Sequence, residues 1–421
     1  MANTVELEVI IAALNNDSSR LEALIVSSAI NWHEFFQIII RHRIWHQAHR
    51  AFAKLKCKSK VPIYAKLAKF CQQDKLRIFS LVAETCLLAR TFAAQQIPYC
   101  FIKGPILNVS LYEELTIRPC RDLDVWIEYR ALQQATKALL ALGYQKKKPV
   151  YELIGFKEEY YLKHKHDITF YHRERNMLVE LHFRLNYLGI NFVPLSPAIC
   201  KKIILWQTPI QTLNDDYHLL FLMIHGAIHG WIRLRWLYDL HLYIKSGKCS
   251  LTNLMILAEK IHCKHIVYQA LTLLNDFFPV ANAELLKILT NLKQPQQSPP
   301  FGMGYIALLL IRSISVAHAH TALPRQKYTC KRYIKLAALA KQFIIADYQP
   351  EKNPGIFTKH FFYYRFYLVK LATSGEKMHA FVGDLFKIDK LFPFLSLPNK
   401  LKFCYYLLYP LWVISYIFLG K

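Results

Sequence analysis

The chain has 421 residues, of which 53% are apolar and only 13 are glycine, so it can bury a large core and shows no low-complexity tract or internal repeat. Single cores usually stop growing at about 250 to 300 residues, which predicts more than one structural unit. A formal charge of +25 excludes a neutral or acidic surface and favours anionic partners such as nucleotides, nucleic acid or an anionic membrane face.

Residues 1–95 read as an N-terminal helical module. Apolar positions recur at spacings of three and four over 5–14 and 32–44, and a long helix runs through Leu81, Cys86 and Leu87. The first residues have no basic region ahead of their apolar stretch and carry acids within it, against a signal peptide. From Tyr99 the period becomes that of strands, at 99–102, 123–127, 167–171 and 177–183, with a helix over 130–142 that Gly143 ends. The short polar link 173–176 predicts that the last two strands pair as a hairpin. Residues 96–195 thus form a small mixed β-sheet core. Residues 196–293 are expected to be a helical region covering a cleft, with a clear helical pattern from Asp215 onward. The proline-rich stretch 294–300 reads as a linker, and 300–421 as a basic, aromatic-rich helical C-terminal region. The fold class is α+β, a mixed sheet flanked by helical modules at both ends.

Within the C-terminal region, 403–420 is an uncharged run that falls short of the ~20 residues a spanning helix needs, and Pro410 interrupts it. A terminal helix packed on the protein is the expectation, and peripheral attachment to a membrane is the alternative. Ten cysteines are scattered without a Cys-x-x-Cys pair, which predicts a reduced, cytoplasmic location, with membrane association only through the C-terminal run.

The most informative stretch is 101–127. A strand ending in Lys103-Gly104 leads to Arg118-Pro-Cys-Arg121-Asp122-Leu-Asp124-Val-Trp-Ile127, where Asp122 and Asp124 are spaced by two in an apolar, β-prone run. That spacing predicts both carboxylates on one face of a strand, with Leu123, Val125 and Ile127 on the other. Neighbouring carboxylates at a buried strand repel each other and lose hydration, so the pair requires a compensating cation, Mg2+ first of all. Downstream, Glu180 and His182 share one face of the strand at 177–183.

This pattern resembles the nucleotidyltransferase superfamily of the polymerase β-like fold. More narrowly, it is similar to an uncharacterised bacterial nucleotidyltransferase family with Lys-Gly, then Arg-Pro-x-x-Asp-x-Asp, then an acidic-Leu-His strand. The residues that carry the likeness are Lys103 and Gly104, then Arg118, Pro119, Asp122 and Asp124, then Glu180, Leu181 and His182. It continues through His225, His229, Trp231, Arg235, Trp236 and Asp239 and covers roughly half of the chain. Glu180 stands where Asp is also common, and the C-terminal third matches no motif.

The resemblance implies a metal-dependent transfer of a nucleoside monophosphate from an NTP to an acceptor hydroxyl, with release of pyrophosphate. It implies Mg2+ or Mn2+ held by a catalytic trio, Asp122, Asp124 and Glu180. Gly104 would let backbone N–H groups approach the nucleotide phosphates, Lys103 would supply a point charge, and Arg118 and Arg121 would neutralise the leaving pyrophosphate. His225 and His229 stand one helical turn apart but lack the glutamate and third ligand of a zinc motif. With His182, Arg235, Trp236 and Asp239 they read as substrate contacts in a helical cover over the cleft, or as a polar-aromatic helix seam. Lys146, Lys147, Lys148, Lys157, Lys163 and Lys165, interleaved with Tyr151, Phe156, Tyr160 and Tyr161, read as a surface for an anionic acceptor such as nucleic acid, or as a solvated face. The competing function is a non-catalytic nucleotide- or nucleic-acid-binding protein on the same fold. Acceptor and base preference stay open.

Overall fold

The computed structural model describes residues 4–112, 114–187, 190–279, 282–293, 330–345, 364, 388–395, 397–409 and 411. The expected linker at 294–300, and most of 300–421, lie outside them.

The N-terminal region is helical, as its periodicity predicts: α1 (Val5–Leu14), α2 (Ser18–Ser27), α3 (Trp32–His42), α4 (Trp45–Ala53) and the 31-residue α5 (Tyr64–Ala94). Thr4, Asp17 and Asn31 cap the first three, each side chain accepting a hydrogen bond from the backbone N–H three residues on. α3 ends at Arg43 in the left-handed conformation, φ 54°. Along α5, Leu67 and Cys71 join one hydrophobic core, while Ile78, Val82, Ala89 and Phe92 join a second on the far side of the sheet.

The strands are β1 (Tyr99–Phe101), β2 (Leu123–Ile127), β3 (Gln145–Lys148), β4 (Asp167–His172), β5 (Met177–His182), β6 (Asn186–Tyr187), β7 (Ile190–Asn191), β8 (Cys200–Leu205) and β9 (Thr208–Leu213). Between them lie the short α6 (Pro105–Leu107), α7 (Leu132–Ala141) and α8 (Phe156–His164). One seven-stranded sheet runs in the order β3-β4-β5-β2-β1-β9-β8, and β6 and β7 form a separate ribbon. β2 is parallel to β5 and β1 to β9, while the other neighbours are antiparallel. The four expected strands are present, and β4 and β5 form the expected hairpin.

Three strands of the large sheet, and the small β6–β7 ribbon, escaped the sequence reading. β3 is exposed at all four of its residues, so it shows no apolar alternation; its lysines line a sheet edge, where charge discourages pairing with another chain. β8 and β9 fall inside 196–293, where helix was expected. Their turn is Trp206-Gln207, both at positive φ, and it lacks the glycine that announces most such hairpins.

The chain then returns to helices, α9 (Asp215–Ile228), α10 (Leu234–Lys245), α11 (Leu251–Lys260), α12 (Lys264–Phe277), α13 (Ala283–Lys293) and α14 (Cys330–Ile345). Most of these, with α1 to α4, pack on the sheet face that carries Cys100, Ile102 and Trp126. The end of α5, α7 and α8 cover the opposite face, where Phe101, Leu123, Val125, Ile127, Val179 and Leu181 converge. The alternation expected of 123–127 therefore holds, and the fold is α+β. Tyr405 and Tyr409 are buried in that second core, whereas Phe403 and Leu407 are exposed. No helix among the described residues is long and apolar enough to cross a membrane.

Candidate active site

Parallel pairing sets Asp124 of β2 directly beside Glu180 of β5. Trp126, two residues after Asp124, belongs to the core beneath α9 and α10, so Asp124 emerges on that same face. His182 shares the face with Glu180 by the same alternation. Its Nε2 lies 3.2 Å from Asp124 Oδ1 and 3.7 Å from Glu180 Oε2. One ligand atom from each of Asp124, Glu180 and His182 falls within 4.8 Å of the others. Lys103, at the end of β1, closes the group, with Nζ 2.6 Å from Asp124 Oδ1.

The charges explain one another. Burial alone would raise the Asp124 carboxyl, but the Lys103 ammonium and His182 hold it well below the usual carboxylate range. Burial would lower His182, and its hydrogen bond with Asp124 raises it instead. Glu180 fares differently: burial and the Asp124 charge outweigh the opposing pull of His182 and Lys103 and push it up to about 7. Two carboxylates and an imidazole, one of them destabilised as an anion, are a donor set that a divalent cation fits, and the imidazole suits Mn2+ better than Mg2+.

Asp122 lies just ahead of the strand in which the spacing rule placed it. β2 begins at Leu123, and Asp122 sits half-buried on the bend ahead of it, so the strand pleat does not fix its direction. His182, not Asp122, is the third member of the close cluster. The charge of Asp122 still reaches Glu180. Gly104 adopts φ 74°, ψ −140°, and a Cβ there would stand 3.3 Å from the Asp122 carbonyl oxygen, so the Lys-Gly turn lies against the start of β2.

Arg118 and Asp239 were expected to face ligand; the structure binds them to each other. Arg118 is 2% exposed, and its Nε and Nη2 donate to the Asp239 carboxylate at 2.9 to 3.1 Å, with the Tyr112 hydroxyl donating at 2.7 Å. A buried guanidinium requires such a counter-charge, and the pairing commits Nε and Nη2 to Asp239 rather than to pyrophosphate. Arg235 is also buried and donates from Nη1 to the Pro119 carbonyl. Trp236 packs against the rings of both His225 and His229, at 5.3 and 5.4 Å, and those two rings are 4.6 Å apart. Desolvation, then the charge of Lys103, holds His225 well below its ordinary value, and His182 acts on it too. Arg121 is exposed. Two arginines that no motif singled out, Arg43 and Arg233, are half-buried beside Asp122, whose charge acts on both.

The mixed sheet thus places two carboxylates side by side on parallel strands, next to a Lys-Gly turn. The family model described as "Uncharacterised nucleotidyltransferase" matches residues 28–279, and the chain belongs to that family. The match takes in α3 to α5 as well as the sheet, so those helices are part of the family unit. A comparison with curated proteins finds no match.

Proposed function

We propose that the protein transfers a nucleoside monophosphate from an NTP to an acceptor hydroxyl, releasing pyrophosphate. The observation that carries this reading is the Asp124–Glu180 pairing across β2 and β5, with His182 beside it, in a chain of a nucleotidyltransferase family. Mg2+ or Mn2+ held by Asp124, Glu180 and His182, with Asp122 as a further carboxylate, would offset the triphosphate charge and acidify the acceptor hydroxyl. Lys103 supplies a point charge to the phosphates, and Gly104 keeps the turn free of side-chain bulk where the nucleotide approaches. Arg121 faces solvent beside Asp122 and neutralises the pyrophosphate. Glu180 is the group placed to take the acceptor's proton. The lysines of β3 lie at the sheet edge, beyond β4 and β5 from Asp124, so we assign them to guarding that edge rather than to the acceptor.

The test is to incubate the purified protein with each α-labelled NTP, Mn2+ and a cell extract, and to follow label into macromolecular and small-molecule fractions. Labelling is expected from wild type and lost in Asp124→Asn and Glu180→Gln at unchanged secondary structure. Equal labelling by the double variant would refute the assignment.

A further inference from the structure

The helical corner beside the carboxylates holds a concentration of positive charge of which the transfer reading uses only Arg121. His42 Nδ1 accepts a hydrogen bond from Leu234 N at 3.0 Å, which fastens the end of α3 to the start of α10 and brings their neighbours Arg43 and Arg233 to one place. Arg235, next along α10, reaches the Pro119 carbonyl, and Arg77 Nη2 holds the Arg121 carbonyl at 3.1 Å, so the 119–121 segment closes the third side. No carboxylate among the described residues lies within ion-pair distance of Arg43, Arg121 or Arg233. The Arg233 guanidinium instead packs over Trp236, 5.5 Å from the ring centre. Behind them Arg235 is 5% exposed, and its Nε is buried without a hydrogen-bond partner.

This arrangement is unfavourable as it stands. Burial and then the Arg233 charge lower Arg43 to about 9, burial and Arg235 lower Arg233 to about 10, and Arg121 acts on both. Asp122 is the one acid acting on both Arg43 and Arg233, and it balances only one positive charge. Arg43 also keeps a left-handed backbone, φ 54°, which a residue with a side chain adopts at a cost. Crowded guanidinium groups, partly desolvated and lacking a carboxylate, have the planar donors that phosphoryl oxygens match.

We propose that Arg43, Arg121 and Arg233 form a phosphoryl-binding site, so that the N-terminal helices complete the ligand site of the sheet. The proposal deepens the transfer reading, on which its choice of ligand rests. The phosphoryl group belongs either to the donor's β- and γ-phosphates or to a phosphorylated acceptor.

Calorimetric titration of the full chain in metal-free buffer at physiological salt, with inorganic pyrophosphate and separately with glycerol phosphate, tests it. Arg233→Gln and Arg43→Asn, the latter because asparagine tolerates the left-handed backbone, are expected to weaken binding at least tenfold. Both should keep the wild-type circular dichroism and a urea midpoint no lower than that of wild type, and Lys147→Gln, on the distant sheet edge, should bind as wild type does. Tighter binding of pyrophosphate assigns the site to the donor, and tighter binding of glycerol phosphate to the acceptor. Asp124→Asn should abolish transfer yet hold pyrophosphate within about twofold of wild type, which separates failure of this site from failure of the transfer reading. Folded Arg43→Asn and Arg233→Gln proteins that both bind within twofold of wild type, or a wild type that binds neither anion, would overturn the proposal.

Discussion

Replacing Asp239 by asparagine removes the counter-charge of a guanidinium that is 2% exposed. Three contacts of 2.9 to 3.1 Å tie Arg118 to that carboxylate, and burial, which alone would lower Arg118, is overridden by Asp239 so that its charge is held above the ordinary range. Stranding one member of a buried pair costs about 3 to 5 kcal/mol, whereas replacing both by apolar groups of similar volume is often near neutral. Asparagine keeps one oxygen for Arg118 and Tyr112, so the lower end, about 3 kcal/mol, is expected for Asp239→Asn. Arg118→Met with Asp239→Leu should recover most of it. Urea unfolding followed by tryptophan fluorescence, run as a double-mutant cycle, gives the coupling directly. The double variant should also retain pyrophosphate binding. An Asp239→Asn protein with wild-type stability but no nucleotide turnover would refute the reasoning and return Asp239 to the substrate.

Gly104→Ala forces a Cβ into a backbone region that glycine alone adopts readily, 3.3 Å from the Asp122 carbonyl oxygen. A loss of about 1 to 3 kcal/mol is expected in the same unfolding assay, and a neutral variant would show that the turn relaxes. His218 donates from Nε2 to the Ile102 carbonyl at 2.8 Å, and burial holds its imidazole at about 4. The unfolded chain therefore takes up a proton below about pH 6.5 that the folded one refuses, so stability is full above that value. It falls as pH drops from 6.5 towards 4 by up to about 1.4 kcal/mol per unit, and His218→Gln should remove that share; an unchanged slope would contradict it. Lys103→Met frees Asp124 of its ammonium, so Mn2+ should bind the nucleotide-free protein more tightly while NTP transfer falls. Paramagnetic relaxation of water protons reads the first and the labelling assay the second, and weaker Mn2+ binding would count against the cluster as a cation site.

What could be read in the sequence was what periodicity and short spacing encode. Leu123, Val125 and Ile127 announced a strand with one face in a core, and α1, α3 and α5 announced themselves by apolar recurrence. β3 did not, because an edge strand of lysines buries nothing. Asp124 was legible, but its partnership with Glu180 depends on β5 inserting beside β2, which alternation cannot predict and which entered through the family resemblance. Spacing placed Asp122 in the strand, but β2 begins one residue after it, so its direction is not set by the pleat. Arg118 and Asp239 are joined across 121 positions, and Arg43 meets Arg233 only where α3 touches α10. Such pairings are set by packing, which leaves no mark in local composition.

The place of β1 in the sheet bears on how the protein is made. Phe101 pairs with Val125 on one side and with Thr212 on the other. During synthesis β1 gains its first neighbour early, by a local antiparallel return. Its second edge stays bare until the β8–β9 hairpin has emerged and β9 lays itself in parallel. That step closes a long loop and is intrinsically slow, and an apolar edge left open meanwhile invites pairing with another chain. A nascent chain halted before Thr208 would leave β1 as a bare edge of its sheet, beside the very turn that holds Lys103 and Gly104, although the strands that carry Asp124, Glu180 and His182 have by then emerged.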